Sequence, residues 1–293
     1  MKKFKDDFGL RIISILIIIY DFIFFIGLLI YGHFSPKILI PCLIGGVFLL
    51  FQRHFIKFPP ILKVVLLFGL SLFASLYNYS FVAELDKIVH FKRLDFFFAQ
   101  FDMLVFNMPV AKYLGKTFPF NTQFGWFFND LIMVNYILFY FLGLFSILSL
   151  FLSLDQDKKY QTGICVTSFL IFMGINYVFY MLVPVSGPQY FQAALFTDEI
   201  PFSVVGSYLS NVVLSGQDNL IDCFPSGHFG TALLATLWSY RIHRIQYYFM
   251  TFVSLCMFLA TLRLRYHYSL DLLFSPFLVI LAYLLSFKLF SEK

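Results

Sequence analysis

Two short stretches of this chain carry residue types that can move a phosphoryl group. One is Pro225-Ser226-Gly227-His228, at the mouth of an apolar run. The other is Arg263-Leu264-Arg265-Tyr266-His267-Tyr268-Ser269-Leu270-Asp271. His267 and Asp271 are four apart, a spacing that stacks two side chains on one face of a helix. A carboxylate in that place holds an imidazole in one tautomer and raises its basicity. Arg263 falls one turn back on the same face if the helix extends that far. Arg265 points elsewhere on a regular helix and turns inward only from a loop. Guanidiniums beside a His–Asp pair suit an anionic phosphate, which Arg grips with two parallel hydrogen bonds.

In the first stretch, Pro and Gly end any preceding structure and permit a tight turn. Ser226 or Gly227 therefore falls near the cap of the following helix. A helix N-terminus offers unpaired N–H groups and partial positive charge, which attract phosphate. Ser226 can cap that helix or donate to a phosphate oxygen. Gly227 lets backbone come close to the ligand, and His228 can protonate a leaving alkoxide. Together the parts describe phosphoryl transfer without a nucleotide-binding loop. His267 attacks phosphorus, Asp271 orients it, and His228 releases the leaving oxygen. The resulting phosphohistidine is resolved by water or another hydroxyl. This chemistry needs no cofactor and no metal. The outer-side carboxylates do not cluster with His at short spacing, so no metal site is expected. Cys42, Cys165, Cys223 and Cys256 lack metal-type spacing and read as packing residues.

The elements that position these residues must be membrane spans. The chain is 60% hydrophobic and 13% charged, with 43 Phe. Soluble domains carry about 25% charged residues, so this composition excludes a polar-coated globule. The net charge of +5 is better read as topology than as nucleic-acid affinity, and no nucleic-acid motif is present. Apolar runs reach the roughly 20 residues that a bilayer requires. The expected fold class is all-α, a polytopic helical bundle. Eight spans are expected, near residues 9–31, 37–51, 60–80, 127–152, 162–183, 228–240, 246–262 and 267–288. The first is expected to be retained rather than cleaved. Residues 81–126 mix charges with aromatics and fit helices lying in the interface. Residues 184–227 read as a polar loop, and residues 1–293 as one membrane domain.

Eight spans put both termini on one side. That side carries the larger share of Lys and Arg, which makes it cytoplasmic. The 184–227 loop has no Lys or Arg, which suits translocation. Pro225–His228 and Arg263–His267 are then expected to meet at the outer face.

FPSGH at 224–228 and RYHYSLD at 265–271 resemble the second and third signature motifs of the type 2 phosphatidic acid phosphatase superfamily. The YHYxxD form looks especially like the branch of inositolphosphotransferases and sphingomyelin-synthase-like enzymes. The resemblance covers roughly residues 165–290. It implies a core of about six helices, with His267 as nucleophile and Asp271 as its partner. It also implies that Ser226, Gly227 and His228 bind phosphate or supply the acid. The expected activity is a lipid phosphatase. The alternative is transfer of a phospho-headgroup to a lipid or polyol, and a non-catalytic lipid carrier ranks behind both. Some family features are missing. The first motif, a Lys followed by Arg-Pro, is not visible. Gln189 stands where related sequences carry Arg, and can hydrogen-bond phosphate without charge. Thr261 stands where the phosphatases place an Arg, so Arg265 and Arg263 are expected to supply that charge.

The remaining polar residues read structurally. Asp21, Asn129, Asp130 and Asn135 are expected to tie spans together. Asp95 and Asp102 read as a solvated helix face, with help in closing the outer site as the lesser alternative, and Tyr266 and Tyr268 as an interfacial aromatic belt.

Overall fold

The computed structural model describes residues 9–30, 39–55, 57–117, 122–196, 198–217 and 220–291. Lys2, Lys3 and Lys5, which count toward the cytoplasmic share of Lys and Arg, lie outside them. The described residues are helical, with no strand and one isolated parallel bridge between Val185 and Asp222. The architecture is all-α, as the composition requires.

Among the described residues, five helices are long and apolar enough to cross a membrane. They are α1 (Leu10–Ile30), α3 (Pro60–Val89), α8 (Gln156–Leu182), α12 (Arg244–Arg263) and α13 (Ser269–Ser291). Helix α2 (Leu39–Phe55) is shorter. The expected fourth span is broken at Leu138 into α6 (Gln123–Ile137) and α7 (Phe139–Phe151), which meet at a 57° bend. The expected sixth span is α11 (Gly227–Ile242), of 16 residues. It falls short of a span by length and packs against α7, α8, α12 and α13.

Local chemistry sets the helix ends. Pro60 opens α3, where a missing N–H costs nothing. The Thr122 hydroxyl accepts from Gly125 N at the start of α6, and Asp155 accepts from Asp157 N at the start of α8. Asn129, Asp130 and Asn135 tie α6 to its neighbours, as expected. Asn129 Nδ2 donates to Pro201 O, Asn135 Nδ2 donates to Val253 O, and Asp130 accepts from Ser203 N.

Two segments differ from the sequence expectation. The 81–126 stretch begins as the last turns of α3, then forms α4 (Asp95–Phe106) and α5 (Val110–Thr117). The 184–227 stretch is not merely a loop. It holds the one-turn α9 (Pro188–Phe191) and the apolar α10 (Val204–Ser215), which packs on α6. A Gly/Pro-rich flank hides so short a helix from a span-length search.

Two apolar cores share α11. Leu234 and Trp238 join residues of α1, α3, α8 and α13 in one. Ala232 and Ala235 join α6, α7 and α12 in the other. The outer flanks expose large apolar side chains such as Leu50, Phe277 and Leu284, which suits a lipid solvent. This frame holds the first turn of α11 beside the first turn of α13.

Candidate active site

Ser226 is the cap of α11, and its hydroxyl accepts from Phe229 N at 3.3 Å. The Gly227 and His228 backbone N–H groups therefore open the helix, as the PSGH turn predicted. A side chain at position 227 would meet tight neighbours. Its Cβ would lie 3.0 Å from Tyr180 Oη and 3.1 Å from Asn176 Nδ2. Asn176 also donates to Pro225 O at 3.3 Å, fixing the turn from α8.

His267 lies just before α13 rather than within it, and Asp271 sits in that helix's first turn. The predicted pair still forms, across the helix start instead of along a regular face. His267 Nδ1 is 3.4 Å from Asp271 Oδ2. The same oxygen accepts from Tyr268 N at 2.7 Å, which locks the carboxylate against the turn. Both residues are buried. Thr261 O accepts from Tyr266 N and His267 N, both at 3.1 Å, closing the loop between α12 and α13.

His228 faces this pair. The two imidazole centroids are 6.3 Å apart. The His228 ring stacks on Tyr136 at 4.3 Å and leans on Phe139 at 4.2 Å. The α6–α7 bend thus delivers one ring from each side of Leu138 to the same histidine.

The motif segments are sewn together directly. Ser226 N donates to Asp271 O at 3.4 Å, and Ser275 Oγ donates to Ser226 O at 3.1 Å. Cys223 Sγ donates to Asp271 Oδ2 at 2.9 Å and to Tyr266 O at 3.3 Å. It lies 3.6 Å from His267 Nδ1. Burial, with Asp271 beside it, pushes the Cys223 thiol well above its ordinary value. A cysteine first read as packing is therefore in contact with the His–Asp pair.

The predicted arginines take other places. Arg263 ends α12 and is buried, near Gly115 of α5. Arg265 adopts the left-handed region, φ 68°, as the chain reverses. Its guanidinium donates to Asp198 O at 2.6 Å and covers the Phe196 ring at 4.4 Å. Burial lowers its pKa from the ordinary value, and Asp198 opposes that shift. Gln189 N donates to Arg265 O at 2.9 Å, while its amide donates to Gln217. Gln189 braces the loop of Arg265.

Two expectations are overturned. Asp95 and Asp102 are fully buried rather than solvated. Asp95 accepts from Ser186 N, from Gly187 N at 2.8 Å and from Tyr268 Oη at 3.1 Å. Asp102 accepts from Ser269 N at 3.1 Å and from the Ser269 hydroxyl, capping α13. Burial pushes the Asp102 carboxyl up to about 6. Tyr266 and Tyr268 are buried as well and form no belt. Tyr266 packs on Tyr136, and Tyr268 reaches Asp95.

Asp222 was not anticipated. Tyr79 Oη donates to it at 2.6 Å, bringing α3 to the site. Burial raises its pKa, opposed first by that hydrogen bond and then by the charge of His267. The signal in the sequence was its place three residues before Pro225, but no spacing links it to Tyr79.

An apolar groove of about 480 Å³ opens beside the site, lined by residues including Phe97, Phe98, Phe224 and Leu270. Phe224 adjoins the PSGH turn and Leu270 adjoins Asp271.

Residues 119–285 match the PAP2_3 family model, described as PAP2 superfamily. The chain belongs to the PAP2 superfamily. The match spans α6 to α13 and so begins well before residue 165, taking in the bend that holds His228. Membership in the PAP2 superfamily supports phosphatase- or phosphotransferase-type chemistry. No curated protein and no solved structure matches the chain.

Proposed function

We propose that this PAP2 chain is a lipid phosphatase working through a phosphohistidine. The carrying observation is the buried His267–Asp271 pair facing His228 across 6.3 Å. Asp271 holds the Nδ1 proton of His267, leaving Nε2 with a lone pair for phosphorus. The nucleophile attacks, the P–O bond to the lipid breaks, and His228 gives its proton to the leaving oxygen. Water then takes the phosphoryl group from His267. The N–H groups at the start of α11, with Ser226 and Gly227, bind the phosphate oxygens in this reading. Arg265 and Arg263 bring positive charge to the adjoining turn, and Gln189 holds that turn. No step in this sequence uses a metal or a cofactor.

The substrate is a phosphate- or diphosphate-bearing lipid entering sideways, its chain lying in the groove beside Phe224 and Leu270. The whole of residues 1–293 acts as one membrane domain, with residues 165–290 carrying the motifs. Both termini are cytoplasmic and the site faces the outer side. The Lys- and Arg-free 184–227 segment supports that orientation. A reporter fused to the C-terminus is expected to be cytoplasmic, and an external signal would reverse the assignment.

A second reading, phosphotransfer to a lipid or polyol, rests on Asp222. A carboxylate that borders the site and shares a hydrogen bond with Tyr79 can receive the proton of an alcohol acceptor. The resemblance of YHYxxD to the inositolphosphotransferase and sphingomyelin-synthase-like branch points the same way. Purified protein incubated with radiolabelled phospholipids and polyprenyl diphosphates, with and without alcohols, separates the readings. Free phosphate marks the phosphatase, and a new labelled lipid marks the transferase. His267→Ala is expected to abolish either. Wild-type turnover in that variant would refute the mechanism.

A further inference from the structure

Cys223 Sγ, His267 Nδ1 and Asp271 Oδ2 all lie within 4.8 Å of one another. Cys223 and His267 lie in loops 44 residues apart in sequence and Asp271 in the first turn of α13, so no spacing motif announces the three. Zinc binds Cys sulfur at about 2.3 Å and His or carboxylate atoms at about 2.0–2.1 Å, with tetrahedral geometry. Those lengths set S···N and S···O edges of about 3.6 Å and an N···O edge of about 3.3–3.4 Å. The observed S···N and N···O edges are 3.6 Å and 3.4 Å. The S···O edge is 2.9 Å, because a thiol proton now bridges it. It lengthens when a metal replaces that proton.

We propose that these three side chains form an inhibitory site for a thiophilic divalent cation, with zinc as the fitting ion. Binding displaces the thiol proton to solvent and converts Cys223 to a thiolate. Thiolate and carboxylate together neutralise the two charges of the ion, so the loaded site carries no net charge into a buried place. Three protein ligands leave a fourth position open. The second oxygen of Asp271, Oδ1, is buried and has no hydrogen-bond partner among the described residues, which leaves it available to the ion.

Inhibition follows from the imidazole. A metal on Nδ1 evicts the proton held toward Asp271, and the ring's single proton moves to Nε2. The lone pair that would attack phosphorus is then protonated, and Asp271 is occupied by the ion. This consequence rests on the phosphohistidine reading above. The site itself does not.

Metal-free protein in detergent is titrated with Co²⁺, whose bond to a thiolate gives a near-ultraviolet charge-transfer band. Wild type is expected to develop the band at one ion per chain, and zinc is expected to bleach it. Cys256→Ser is expected to keep the band, and Cys223→Ser to lose it while its elution volume and unfolding temperature stay near wild type. Should Cys223→Ser fail to fold, X-ray absorption of zinc-loaded wild type decides, with one sulfur at about 2.3 Å and nitrogen or oxygen at about 2.0 Å expected. Zinc is expected to stop turnover and chelator to restore it. In folded Cys223→Ser the inhibitory concentration rises on the order of 100-fold, at or beyond the loss seen for outer-shell partners. Absence of the band in wild type, its persistence in Cys223→Ser, or turnover that rises with zinc overturns the proposal. A wild type that shows the band but turns over no lipid when metal-free refutes the phosphatase reading and leaves the site standing.

Discussion

Asp95→Ala should be among the most damaging single changes outside the two motifs. The Asp95 carboxylate is fully buried and takes three donors from two segments. They are Ser186 N and Gly187 N of the loop after α8, and the Tyr268 hydroxyl beside His267. Truncation strands all three. An unsatisfied buried donor costs about 1–3 kcal/mol, and bonds to a charged group lie at the strong end. The Tyr268 hydroxyl can rotate and recover part of its loss, whereas the two backbone N–H groups cannot. The sum is about 4 kcal/mol, in the range for removing one partner from a buried charged network. Asp95→Asn keeps an acceptor for Gly187 N but turns its NH₂ toward Ser186 N, a cost of about 2 kcal/mol. At about 2–4 °C per kcal/mol, Asp95→Ala should lower the unfolding temperature by roughly 10 °C and Asp95→Asn by about 5 °C. Thermal unfolding of the detergent-solubilised proteins at one scan rate measures both. Turnover should fall alongside, because the loop that loses its anchor also holds the Arg265 turn through Gln189. Unfolding temperatures within about 2 °C of wild type for both variants would show that the Asp95 network contributes little.

Asp271→Asn keeps the shape of the His267 partner but places an NH₂ among donors. Turnover should drop by about 10²–10⁴-fold, and near-normal turnover would remove Asp271 from the mechanism. For Asp102, burial raises the folded pKa to about 6, above an unfolded value of about 3.9. Its native state holds a proton that the unfolded chain releases, so this contribution is full below about pH 4 and is lost as pH rises through about 6. Denaturation midpoints of the wild type should carry that downward component, and Asp102→Asn should remove it. An unchanged slope would place the Asp102 pKa elsewhere. Gly187→Ala puts a side chain at φ 96°, with its Cβ 2.8 Å from Tyr266 O. A loss of about 1–3 kcal/mol in unfolding stability is expected, and a neutral result would mean that the loop can move away from Tyr266.

The bundle and the two motif segments were legible because their signals are local. Span length, the Ser226 cap and the His267–Asp271 interval each lie within one stretch of chain. The interval even survived a wrong premise: the two residues meet across a helix start, where Tyr268 N pins the carboxylate. The meeting of the two motifs was expected from topology, but the distant partners of the buried carboxylates escaped notice. Asp95 and Asp102, seven apart on α4, look like a wet face until their partners are seen to include backbone N–H groups 91 and 167 residues on. Charge alone cannot separate a carboxylate that faces water from one that feeds a buried amide. The break at Leu138 was hidden for a related reason. Apolar residues run through it without Pro or Gly, and only the packing of Tyr136 and Phe139 around His228 gives the bend a use.

Those hidden contacts have a common form. The loop at 186–187, the turn before α13 and the start of α13 itself all end in backbone donors that need buried acceptors. Asp95, Asp271 and Asp102 each supply one. A site proposed to bind an anionic phosphate is thus framed by these three carboxylates besides Asp222, which looks contrary to its charge. The contradiction lifts once their lone pairs are counted. Asp95 and one oxygen each of Asp271 and Asp102 are spent on N–H, O–H or S–H donors, so their negative charge is dispersed into the scaffold. The N–H groups of Gly227 and His228 belong to the free end of α11, where only Phe229 N is taken by the Ser226 side chain. Those are the donors that the proposed mechanism assigns to the phosphate. Replacing any one of the three carboxylates should therefore loosen the frame before it changes the charge that a phosphate meets.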